Sequence, residues 1–188
     1  MSKRAVILLA YLLYFCSVAF VSKLFLPLLV SSASFTAWLT LFFLFAGGMV
    51  GILLPKVVIV ATQVLSVGSF TMKSVSRFFQ LMMKNESSIL QSDTTHAASI
   101  VYSYPCALVV LIGGFYVISS STLVFGKAAV LGCALRYVVE LLESWQEGTM
   151  KQKWLRVFPV NLTTQELHIA VIVLLLAFGV FGIFGLKI

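Results

Sequence analysis

The chain alternates long apolar runs with short polar stretches. The run from Ala5 to Val30 is broken only at Lys23 and Pro27, and Ala33 to Leu54 carries no charge. Ile100 to Ile118 is a third run, and Leu167 to Leu186 a fourth with His168 near its start. Each reaches or approaches the ~20 residues that cross a ~30 Å hydrocarbon core. Such a core gives the backbone no hydrogen-bond partners, so these runs are expected as helices. A β-barrel would need polar and apolar residues in alternation, which Val171-Ile172-Val173-Leu174-Leu175-Leu176 lacks. Thr122 to Leu142 is a fifth apolar run, holding Lys127, Arg136 and Glu140 towards its ends. Long charged side chains reach from such positions to an interface. The expected fold is all-α: one integral membrane domain over 1–188, with spans at about 5–30, 33–54, 100–118, 122–142 and 167–186.

The stretch from Val57 to Lys84 has a different period. Gln63, Ser66, Ser69, Lys73, Arg77, Gln80 and Lys84 recur every three or four residues, which places them on one face of a helix. An amphipathic helix over about 57–84 is expected on the membrane surface, its basic face formed by Lys73, Arg77 and Lys84. It is expected to continue from the second span through a kink at Pro55. The rival reading makes Val57 to Met72 a sixth span.

Composition agrees with the pattern. Of 188 residues, 61% are hydrophobic and 10% charged, against roughly 25% charged in an average soluble domain. That excludes a water-soluble globule, a disordered chain and, with 3 cysteines, a disulfide scaffold. The net charge of +7 would point to nucleic acid in a soluble protein. Here it reads as an orientation signal, because basic residues flank spans on the cytoplasmic side. With five spans and the N-terminus inside, ten of the 13 basic residues are inside: Lys3, Arg4, Lys56, Lys73, Arg77, Lys84, Arg136, Lys151, Lys153 and Arg156. Lys23, Lys127 and Lys187 are outside. A sixth span would carry six of the ten outside, against the rule. The expected localisation is a bacterial-type plasma (inner) membrane, N-terminus cytoplasmic and C-terminus outside. A signal peptide is the rival for the first run, but an h-region of about 7–15 residues is shorter than this one.

No motif identifies an activity. Arg136 and Glu140 are spaced i,i+4 on one helix face, which Glu143 and Glu147 extend. They form the candidate polar site, with Lys127 in the same span. One reading is a polar pocket in the bundle; the other, preferred on sequence, is a solvated helix end with a surface ion pair. Ser119-Ser120-Ser121-Thr122 with Gly126-Lys127 lacks the first glycine and the final Ser or Thr of a phosphate loop. Its hydroxyls are expected to cap the next helix. Thr163-Thr164-Gln165-Glu166 fits a capping box at the start of the last span. Trp38, Trp145 and Trp154 are expected as interfacial anchors. His96 and His168 lack metal-ligand spacing, Cys16, Cys106 and Cys133 are expected as buried thiols, and no cofactor is expected.

Gly47 and Gly51, and Gly179, Gly182 and Gly185, mark close helix packing, within the bundle or between protomers. The expected partners are the lipid bilayer and either a membrane protein or a second copy of the chain, with no nucleic acid. The expected function is a non-enzymatic scaffold or accessory subunit of a membrane complex. The alternative is a small-solute or ion permease with its site at Arg136 and Glu140.

Overall fold

A computed structural model describes residues 9–17, 35–65, 76, 78, 80, 100–120, 122–155 and 163–185. Among the described residues the chain is helical, with no strand. Residues 9–17 form one helical stretch. It is followed by α1 (Phe35–Leu65), α2 (Tyr104–Ser120), α3 (Val124–Gln146), α4 (Met150–Lys153) and α5 (Thr164–Gly185). Two stretches are long and apolar enough to cross a membrane: Trp38–Thr62 within α1 and Thr164–Phe184 within α5. Helix α2 is apolar but has 17 residues, and α3 carries Lys127, Arg136, Glu140 and Glu143 along its length. By length and composition the described helices therefore support two of the five expected spans. Of the first expected span, only 9–17 falls within the described residues.

The 31-residue α1 is about 46 Å long at 1.5 Å per residue. It passes through Pro55, which is buried. A sixth span starting at Val57 would need a reversal after Leu54, and the helix continues there instead. The second apolar run and the first residues of the stretch 57–84 are thus one rod. Lys73, Arg77 and Lys84 lie outside the described residues, as does His96.

Neighbouring contacts give each helix a direction. The Tyr11 hydroxyl donates to the Phe45 carbonyl at 2.7 Å, and the Phe15 ring lies edge-on to that of Phe45 at 5.5 Å. A methyl group on Gly48 would strike the Tyr11 ring. Residues 9–17 therefore run antiparallel to α1. Helix α3 runs parallel to α1, because Gly47 meets Phe125 and Ala128 while Gly51 meets Ala129 and Cys133. Cys106 beside Tyr137 and Gly114 beside Val130 make α2 antiparallel to α3. Trp145 beside His168 and Tyr137 beside Phe178 do the same for α5. The chain thus reverses at each successive long helix.

The broadest packing is between α1 and α3. It depends on glycine: a Cβ on Gly51 would collide with the Ala129 carbonyl, and one on Gly132 with the Gly48 backbone. Small residues are what allow backbones to approach this closely. The main core lies around α3, with Tyr137, Leu141, Trp154, Val60 and Leu174 at its centre. The outward faces are also apolar. Ile112 is 72% exposed, Val109 68% and Ile183 63%, so this surface is made of side chains that a water-facing helix would replace with polar ones.

Helix ends show which local signals the fold uses. At α5 the capping box forms: the Glu166 carboxylate accepts from the Thr163 amide at 2.7 Å, and the Glu166 amide donates to Thr163 Oγ1 at 3.4 Å. Ser103 immediately precedes α2, and its Oγ accepts from the Cys106 amide at 3.5 Å. The expected hydroxyl cap of α3 does not form. Its N-cap is Leu123 without a side-chain hydrogen bond, and the Ser119 and Ser120 hydroxyls donate back to Phe115 and Tyr116 carbonyls of α2. Those hydroxyls lie in the last turn of α2 and bond back to carbonyls four residues earlier, as serine does inside a helix. Helix α3 ends in a Schellman turn. Gly148 has φ +67°, its amide donates to the Trp145 carbonyl at 3.2 Å, and the Thr149 amide donates to the Ser144 carbonyl at 3.0 Å.

Candidate functional site

The Schellman turn sends the chain back under α3 through the short α4 and delivers Trp154 to the core. Trp154 is 1% exposed, not the interfacial anchor expected from its position beside a loop. Its indole Nε1–H donates to Ser144 Oγ at 3.1 Å, and Ser144 Oγ donates to the Glu140 carbonyl at 2.7 Å. Its own carbonyl accepts from the Tyr104 amide at 3.1 Å, which ties the start of α2 to the end of α4. A buried indole needs such a partner for its N–H. Trp38, by contrast, is 60% exposed, and Trp145 lies at the surface with its ring 6.1 Å from that of His168.

One turn further into α3, Arg136 and Glu140 pair at 2.7 Å between Nη2 and Oε1, with each side chain 6% exposed. The preferred expectation of a solvated helix end is corrected. Arg136 and Glu140 follow Gly132 by one and two turns on the same face of α3, and both are buried. Removing two charges from water costs several kcal/mol per ion. An i,i+4 partner in contact offsets part of that cost and makes the pair neutral as a unit. Tyr137, next to Arg136, sends its hydroxyl to the Val101 carbonyl at 2.7 Å and lies 3.3 Å from Cys106 Sγ. Its ring contacts those of Tyr102, Trp154 and Phe178, with centroids 6.0, 6.1 and 6.3 Å away.

Lys127 is not part of this group. It is half-buried and lies nine residues before Arg136, roughly 13 Å along the helix axis. Gly47 and Gly51 lie against α3. A Cβ on Gly179 or Gly182 would meet nothing within 4 Å, and Gly185 is the last residue of α5. Of the thiols, Cys133 is buried, Cys106 half-buried and Cys16 exposed, and all are free. The exposure of Cys16 corrects the expectation of three buried thiols. Among the described residues no group of three or more His, Cys, Asp or Glu is placed to hold a metal ion. A cleft of about 420 Å³ opens between residues 9–17, α3 and α5, and Arg136 and Glu140 are not among its lining residues.

Comparison with known protein families, with curated proteins and with solved structures finds no match for this chain.

Sequence reasoning singled out Arg136 and Glu140 but missed Tyr137, Ser144, Trp154 and Gly148. The signal for Ser144 was present, since it lies four residues after Glu140 on the same face. So was that for Gly148, a glycine just beyond a helical run. The return of Trp154 depends on tertiary packing and has no local signature.

Proposed function

We propose that the chain is a small polytopic membrane protein that works as a non-enzymatic scaffold or accessory subunit of a membrane complex. Five segments cross a plasma-type membrane, with the N-terminus in the cytoplasm, the C-terminus outside and the basic helix around Lys73, Arg77 and Lys84 on the inner face. Two features support the membrane placement. The apolar window of α5 is only 22% buried and that of α1 39%, unlike the core helix of a soluble protein. The alternating direction of the helical stretch 9–17, α1, α2, α3 and α5 suits five successive crossings.

One observation carries the functional reading. The two charged side chains buried among the described residues, Arg136 and Glu140, bind each other, and the polar groups beside them close on Trp154 and the backbone. This polar cluster joins α2, α3 and α4 and is used as structure. The test is purification from native membrane in mild detergent followed by mass spectrometry. A stoichiometric membrane-protein partner supports the reading. Its absence, together with solute flux in proteoliposomes that Glu140→Gln abolishes, overturns it.

That second outcome is the permease reading, and it too has an observation in its favour. A buried charge pair within a membrane helix is costly and tends to mark a substrate or ion path.

A further inference from the structure

We draw no further inference here: the strongest candidate, the apolar cleft of about 420 Å³ between residues 9–17, α3 and α5, carries nothing because nothing in the structure shows what covers it.

Discussion

Replacing Gly132 or Gly51 by alanine adds one methyl group to the closest approach in the bundle. On Gly132 the new Cβ falls on the Gly48 backbone, and on Gly51 it falls on the Ala129 carbonyl. Backbone cannot rotate aside as the tip of a side chain does, so α1 and α3 must separate and the contacts flanking the glycine stretch with them. Overpacking of this kind costs about 1–3 kcal/mol. Alanine returns up to about 1 kcal/mol in a helix through its lower conformational freedom. The net loss is on the order of 1–2 kcal/mol, or roughly 2–8 °C in Tm for a chain of this length. Gly182→Ala receives only the favourable contribution, because its methyl group meets open space. It is expected to be neutral or slightly stabilising. The double variant Gly51→Ala/Gly132→Ala should cost less than the sum of the two, since one separation of the helices relieves both clashes. Thermal unfolding in mild detergent, followed by tryptophan fluorescence, measures all four. Equal stability of Gly132→Ala and Gly182→Ala would refute the close α1–α3 contact.

Three further outcomes follow from the polar cluster and the cap. Arg136→Met alone is expected to destabilise by about 3–5 kcal/mol by leaving a buried carboxylate without its partner, whereas Arg136→Met/Glu140→Leu should be far milder or neutral; equal losses in single and double variants, in the same melting assay, would contradict a buried pair. Trp154→Phe keeps most of the packing and removes the bond to Ser144, so it is expected to cost about 0.5–1.5 kcal/mol, while Trp154→Ala should cost about 3–5 kcal/mol; a surface Trp154 would give near-zero values for both. Thr163→Ala is expected to speed amide hydrogen exchange in the first turn of α5 and Thr163→Ser to leave it unchanged, and no difference between them would argue against the capping box.

Some of this architecture is legible in the residues and some is not. The runs of Ala33–Leu54 and Leu167–Leu186 give their helices directly, because apolar length and the missing alternation leave few alternatives. Thr163 and Glu166 mark the start of α5 through a cap that is local in sequence. The burial of Arg136 and Glu140 is not local. It depends on packing between helices far apart in the chain: Gly48 and Gly51 of α1, which lie against α3, precede Arg136 by 88 and 85 residues. Trp154 reads as an anchor because tryptophan beside a loop usually is one. Gly148 reverses the chain and turns it into core. The glycines of α5 share a small-residue pattern with those of α1, yet one set meets backbone and the other meets space. Sequence spacing states that glycine lines a helix face, and only the neighbouring helix decides what that face touches.

The parity of the crossings fixes the side on which the C-terminus lies. Paired reporters fused after Ile188, one active only in the cytoplasm and one only outside it, read this in a single experiment. Five crossings from a cytoplasmic N-terminus predict that the external reporter is active and the cytoplasmic one silent. Activity of the cytoplasmic reporter alone would contradict the five-segment bundle and the orientation drawn from its basic residues.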